Sequence, residues 1–304
     1  MPEIQLETTG CDLCGSTAAK PLFSMPDLRH KMYTPEYSVV QCRHCPHRYL
    51  SPRPTRETSH LAYPSKYYAN RTVEDAKQLR RYEKQAALLP KQPGKLLDVG
   101  CAGGAWITYM QSLGWVCEGQ DLYESPELNA ATFCRVGYLP EMQYEPNSFD
   151  YVTAWGVMEH VHSPSSYFKA IHDVLKPGGT FLFMVPNGDS WWSRWAFYED
   201  IPRHLHFFRK KAIRKYAEKY HFSVDEIYAT NDIYSKPASG RGMFRRQTMR
   251  FLGVPWKEID GWPNSFWLKV AATLSTKLDH CISADWEERH GLAGNLIVRL
   301  KKAL

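Results

Sequence analysis

Leu96-Leu97-Asp98-Val99-Gly100-Cys101-Ala102-Gly103-Gly104-Ala105 is the stretch that decides the fold. Apolar and β-branched residues around one aspartate predict a buried strand, and three glycines predict a sharp turn into a helix. Small residues in such a turn let a ligand touch the backbone, and the free N–H groups of the next helix point at it. Working outward, Trp115-Val116-Cys117-Glu118-Gly119-Gln120 predicts a second strand that ends at Asp121. A carboxylate at that tip can accept hydrogen bonds from two ribose hydroxyls. The fold class is therefore α/β, with an adenosyl-type cofactor at the carboxyl end of a parallel sheet. Nicotinamide and flavin enzymes also carry glycine-rich turns, so the turn alone does not choose among cofactors.

Three later blocks narrow the choice: Phe149-Asp150-Tyr151-Val152-Thr153-Ala154-Trp155, then Met158-Glu159-His160-Val161, then Leu175-Lys176-Pro177-Gly178-Gly179-Thr180-Phe181-Leu182-Phe183. Their order and spacing resemble the class I S-adenosylmethionine (SAM)-dependent methyltransferase family, over about residues 95–222. The resemblance implies a Rossmann-like, seven-stranded, mostly parallel sheet, with Phe222–Tyr228 and Asn295–Leu300 as its last two strands. It also implies roles for single positions. Asp98 fixes the glycine turn near the amino-acid end of the cofactor, Gly100 and Gly104 give clearance, and Asp121 takes the ribose. Leu122 and Leu139 flank the adenine, and Trp155 offers backbone near the methionine part. One position departs from the family pattern: Ala102 stands where a middle glycine is usual, which is tolerable if its φ stays negative.

The chain has 304 residues, 43% hydrophobic and 23% charged, enough for one large domain and a smaller one. No apolar run approaches the ~20 residues of a membrane span. The first residues, Met1 to Glu7, do not read as a secretory leader, so a cytoplasmic protein is expected. The net charge of +6 permits an anionic acceptor but does not by itself point to nucleic acid.

The eight cysteines fall into two groups. Cys101, Cys117, Cys134 and Cys281 are scattered and read mostly as small buried hydrophobes. Cys11-Asp12-Leu13-Cys14-Gly15 and Cys42-Arg43-His44-Cys45-Pro46 form two C-x2-C knuckles separated by 27 residues. Four thiolates make a closed tetrahedral site, which predicts a structural Zn2+ held by Cys11, Cys14, Cys42 and Cys45. His30, His44 and His47 stand nearby as alternative ligands.

With Tyr49-Leu50-Ser51-Pro52-Arg53-Pro54 and Tyr63-Pro64-Ser65-Lys66-Tyr67-Tyr68 after them, the knuckles resemble a methyltransferase subfamily with an amino-terminal zinc ribbon. That resemblance implies a sugar, glycan or secondary metabolite as acceptor. It also places Tyr67 or Tyr68 over the methionine end of the cofactor, where an aromatic face attracts a sulfonium. Packing of the interdomain seam is the alternative role for both tyrosines. The expected organisation is a zinc-ribbon domain over residues 1–62 and a linking helix and cofactor-covering segment over 63–94. The methyltransferase domain then runs over 95–304, with a helical insertion at about 235–292.

Methyl transfer to oxygen or carbon needs a general base. His160 lies in the segment after one core strand. His204 lies in Asp200-Ile201-Pro202-Arg203-His204-Leu205-His206, a block that resembles one in the zinc-ribbon subfamily. Each is a candidate for acid–base or substrate-orienting work, and each has an ordinary packing role as the alternative. Trp191, Trp192, Trp195 and Phe197 wall an acceptor pocket or belong to the core. In the insertion, Arg241, Arg245, Arg246 and Arg250 fall near one helix face, as an anion-recognising lid or as a solvated basic face. An RNA methyltransferase, reading nucleic acid with the ribbon and this basic segment, is the competing reading.

Overall fold

The amino-terminal strands are β1 (Leu6–Glu7), β2 (Ala19–Met25), β3 (Tyr37–Cys42), β4 (Arg48–Leu50) and β5 (Arg53–Pro54). They belong to a computed structural model that describes residues 3–27, 29–30, 36–64, 76–123, 134–190, 193, 200–233, 242–255, 258–259, 261–281 and 283–303. β1 pairs with β5, and β2, β3 and β4 form an antiparallel meander. Helix α1 (Ala76–Ala86) follows, within the span predicted for the linking helix.

The core then alternates: β6 (Lys95–Val99), α2 (Ala105–Ser112), β7 (Val116–Asp121), β8 (Cys134–Val136), β9 (Phe149–Trp155), α3 (Pro164–Val174) and β10 (Leu175–Pro186). After these come β11 (His206–Phe207), α4 (Lys210–Lys219), β12 (Phe222–Thr230), α5 (Met243–Phe251), α6 (Phe266–Asp279), α7 (Ala284–Arg289) and β13 (Asn295–Lys302). Ser163 starts α3 by accepting a hydrogen bond from the Ser166 N–H, with Pro164 in the first turn, a favoured helix start. The helix ends before the Lys176-Pro177-Gly178-Gly179 stop, and those residues form the irregular opening of β10.

Seven strands form one sheet in the order β12-β13-β10-β9-β6-β7-β8. The pairs β6–β7, β6–β9, β7–β8 and β9–β10 are parallel. Leu96, Leu97, Val99, Val152, Ala154 and Phe181 through Val185 are buried, as strands covered on both faces require. The chain leaves β6 toward β7 and β8, then returns to β9 on the other side of β6. That reversal opens a crevice at the carboxyl ends of β6 and β9, where ligands bind in open α/β sheets.

The chain divides into two compact units. One comprises Ser65–Val185, Ile213–Ile227 and Ile297–Leu304, and the other Met1–Pro64, Pro186–Ala212 and Tyr228–Leu296. In the second unit β11 adds to β4, giving a four-stranded sheet in the order β11-β4-β3-β2. Met25, Tyr37, Val39, Leu50, Ile201, Leu205 and Phe207 form its core. The sheet thus takes its edge strand from far along the chain.

Candidate functional site

The glycine turn begins where β6 ends. Gly100 has φ 73°, and a Cβ there would lie 2.4 Å from Val157 Cγ2, so only glycine fits. The Gly100 and Cys101 N–H groups both donate to the Gln120 carbonyl, at 2.7 and 3.0 Å. Gly104, at φ 75°, opens α2. Ala102 does not keep the negative φ expected of it: it sits at φ 47°, in the left-handed region. Its N–H donates to Asp121 Oδ2 at 2.8 Å, and this bond holds the unusual conformation in place. The Asp121 Oδ1 accepts from the Tyr123 N–H at 3.3 Å, so the half-buried carboxylate ties the end of β7 to the turn.

Asp98 is buried beneath the turn and accepts a 2.6 Å hydrogen bond from the Thr153 hydroxyl. Burial pushes its carboxyl up to about 8. The Thr153 bond opposes that rise and the nearby Asp121 charge adds to it. A cavity of about 50 Å³ lies against Asp98, Gly100, Ala102 and Gly103, with α1 and Trp155 as its other walls. At roughly 10–15 Å³ per water, that is room for the small end of a ligand rather than for a nucleoside.

The α1 wall carries Gln85, which is 1% exposed, with neither its Oε1 nor its Nε2 hydrogen-bonded. The indole Nε1 atoms of Trp106 and Trp155 are likewise buried without a partner, and both residues line the same cavity. Tyr82, Trp106 and Trp155 pack around it with ring centroids 5.7 Å apart in each neighbouring pair. Arg81 also lines it. Buried polar groups of this kind ordinarily find partners. Together they offer N–H donors for a carboxylate and a carbonyl for an ammonium, which fits the amino-acid end of SAM.

Leu139 is buried in a short 3-10 turn, and Leu122 is half-buried just after β7. Neither is among the residues that line this cavity. Tyr67 and Tyr68 lie outside the described residues, as do Trp191, Trp192, Trp195, Phe197 and Arg241.

His160 and His204 fall in different units. His160 is half-buried, with Nε2 4.0 Å from Glu159 Oε1. His204 follows the buried Arg203. The buried Arg203 guanidinium holds Asp27 through two bonds of 3.1 and 2.8 Å, Asp200 at 2.7 Å and the Ala62 carbonyl at 2.7 Å. The Asp200 N–H donates to His204 Nδ1 at 3.4 Å.

The knuckles bring all four cysteine sulfurs within 4.8 Å of one another. Cys11 Sγ is 3.4 Å from Cys45 Sγ, and Cys14 Sγ is 3.6 Å from Cys42 Sγ. Four sulfurs around one zinc at about 2.3 Å stand about 3.8 Å apart, so the set is close to closed. Gly15, at φ 75°, makes the bend after the first knuckle, and the His44 N–H donates to Cys42 Sγ at 3.4 Å. His30, His44 and His47 are not part of the group. His47 instead meets His206, Nε2 to Nδ1, at 2.9 Å, and burial pushes His47 down to about 4. Of the other cysteines, Cys101 and Cys117 are buried and Cys134 lies 2.9 Å from Cys101. Cys281 is exposed.

A methyltransferase-domain family model matches residues 70–227, just over half of the chain. The chain belongs to this methyltransferase family. Two curated relatives are ubiquinone biosynthesis O-methyltransferases. The one from Albidiferax ferrireducens is 33% identical over 111 residues, which is 33% of this chain and 44% of the relative. The one from Pseudomonas syringae pv. tomato is 35% identical over 104 residues, 31% of this chain and 44% of the relative. The chain therefore spans less than half the length of either. A Haemonchus contortus phosphoethanolamine N-methyltransferase, solved with phosphomonomethylethanolamine and S-adenosylhomocysteine, has a similar fold. Its TM-score is 0.51 at 16% identity, covering 84% of this chain and 62% of that one.

Sequence reasoning found the turn of this methyltransferase but not Gln85. A glutamine in a charged helix reads as a solvated residue. The signal available was its spacing from Tyr82, which puts both on one helix face. Arg203 likewise carries no sequence signal beyond its place in the block around His204. The arginines of the insertion do not share one solvated face: Arg246 is buried, Arg245 lies over the Trp262 ring and Arg250 is exposed.

Proposed function

We propose that this methyltransferase transfers the methyl group of SAM to a small-molecule acceptor: a sugar, glycan or secondary metabolite. The observation that carries the cofactor assignment is the set of unsatisfied buried polar atoms on Gln85, Trp106 and Trp155 beside the Asp98–Gly104 turn. SAM supplies an activated methyl group on a sulfonium. The protein's work is to bind, orient and exclude water. Gln85 and the two indoles hold the amino-acid end, Asp98 lies beneath it, and Asp121 takes the ribose. Gly100 and Gly104 keep the backbone close, Leu122 and Leu139 flank the adenine, and Tyr67 or Tyr68 covers the methionine end.

The curated relatives are named as O-methyltransferases, which supports an oxygen acceptor. Such an acceptor gives up its proton as it is methylated, and His204 or His160 takes it. The four cysteines hold a structural Zn2+, with no open position for chemistry. This zinc ribbon is the feature that favours the sugar, glycan or secondary-metabolite class. No helix among the described residues is long and apolar enough to cross a membrane. A cytoplasmic location is proposed with the rest.

The test is transfer of radiolabelled methyl from SAM into fractionated cell extract. Label in nuclease-resistant small molecules or glycans is expected. Label in RNA would overturn the acceptor class.

A further inference from the structure

Between β12 and β13 the chain builds a helical hairpin from α5 and α6. Its inner side is a small core of Met249, Val254, Ile259 and Ala272, with Leu268 and Ala271 against it. Asp279 closes the hairpin by accepting hydrogen bonds from the Phe244 and Arg245 N–H groups, at 2.8 and 3.2 Å. These contacts satisfy one face of α6. The helix has a second apolar face. At 3.6 residues per turn, Phe266, Trp267, Val270, Leu274 and Leu278 share a stripe away from buried Ala272 and Ser275. Phe266 is 69% exposed and Trp267 76%, and Leu274 and Leu278 are each more than half exposed.

Further large apolar side chains are exposed at the end of α5 and in the segment that leads to α6. Phe251 is 91% exposed and Trp262 68%. Trp262 and Leu252 border a cavity of about 590 Å³ together with Met249, Val254 and Leu268. An apolar patch of this extent on a folded chain marks a docking surface.

Charge selects the occupant. Arg250, Lys269 and Lys277 are exposed on the same two helices, and Arg245 lies over the Trp262 ring at 6.0 Å. Among the described residues from 242 to 281, Glu258 is the one exposed acid, since Asp279 is buried in its capping role. In a two-fold dimer the same patch meets itself, so these cations would face one another. An anionic lipid surface matches both features. Trp, Phe and Leu side chains enter the boundary between headgroups and acyl chains, and lysine and arginine meet the phosphates. We propose that the α5–α6 hairpin is a reversible anchor to anionic membrane surfaces. The proposal rests on this surface and not on the identity of the methyl acceptor.

The test is co-sedimentation of the full-length, zinc-loaded protein with vesicles of phosphatidylcholine, with and without phosphatidylglycerol. Binding to the phosphatidylglycerol vesicles is expected, weakening as salt is raised. The double substitution Trp267→Glu, Leu274→Glu should lower that binding by roughly tenfold or more. Both side chains are exposed, so the melting temperature should stay unchanged. Lys269→Glu with Lys277→Glu should remove the preference for phosphatidylglycerol. Absence of vesicle binding, equal binding to both vesicle types, or binding undiminished by the Trp267 and Leu274 substitutions would overturn the proposal. A wild-type dimer that the same pair makes monomeric, without vesicle binding, would assign the patch to a second copy and overturn it equally.

Discussion

Ala102 adopts a backbone conformation that residues with a Cβ avoid, at a cost of roughly 1–2 kcal/mol. The Asp121 carboxylate offsets part of that cost through the Ala102 N–H. Ala102→Gly should therefore stabilise the protein by about 0.5–1 kcal/mol in urea unfolding, and a loss of stability would show that the methyl group is a packing element. Gly100 is the reverse case. Gly100→Ala forces a Cβ against Val157 at a positive φ, and should destabilise by about 2 kcal/mol or more. Adding Val157→Ala should recover part of the loss. Asp98 carries the pH dependence of this site. Its carboxyl titrates near about 8 when folded and near ~3.9 in an unfolded chain. Between those values the folded state keeps a proton that the unfolded state releases. The contribution of Asp98 to stability is thus fullest below pH ~4 and declines as pH rises toward ~8. Asp98→Asn should flatten the urea midpoint over that range, and an unchanged slope would contradict the assignment.

Elements explain what single residues do not. Arg203 joins Asp27, Asp200 and the Ala62 carbonyl, so it links the turn after β2, the short helix of Ser59–Ala62 and the loop that carries His204. Arg203→Ala takes the guanidinium from buried Asp27 and leaves buried Asp200 with Arg29 alone, and should cost about 3–5 kcal/mol in chemical denaturation. Arg203→Lys should not restore it, because an ammonium cannot bridge both Asp27 oxygens in the way a planar fork does. The knuckles give a parallel expectation. On the proposal that the knuckles hold zinc, a chelator should melt the β2–β3–β4 sheet, seen as lost protection of its amides from hydrogen exchange, while β6 and β9 stay protected. Unchanged exchange in β2–β4 would argue against a structural metal. The strands β6, β9 and β10 were legible because buried apolar residues dominate each of them between turn residues, and β7 because Val116–Asp121 follows the glycine turn and its helix and ends in an acid. β8 was not, since Cys134–Val136 is three residues long and none is fully buried. β11 has two residues, and its pairing with β4 depends on chain return rather than local pattern.

At the scale of the molecule, the order of blocks along the sequence carried the sheet, because each glycine turn and apolar strand is a local feature. The candidate cofactor site was only half legible. Asp98, Gly100 and Asp121 announce themselves by position. Gln85 acquires its meaning when α1 packs beside α2 and buries its amide next to Trp106. The division into units also departs from simple succession, since residues 186–212 join the amino-terminal sheet through β11 and the Arg48 bond to the Gly188 carbonyl. The proposed function depends on the cofactor site, and titration calorimetry of SAM into the apoprotein tests it most directly. It predicts saturable binding, weakened about tenfold or more by Gln85→Ala and by Asp121→Ala, each variant first shown to be folded. Absence of binding by the wild type, or affinity unchanged in both variants, would contradict it.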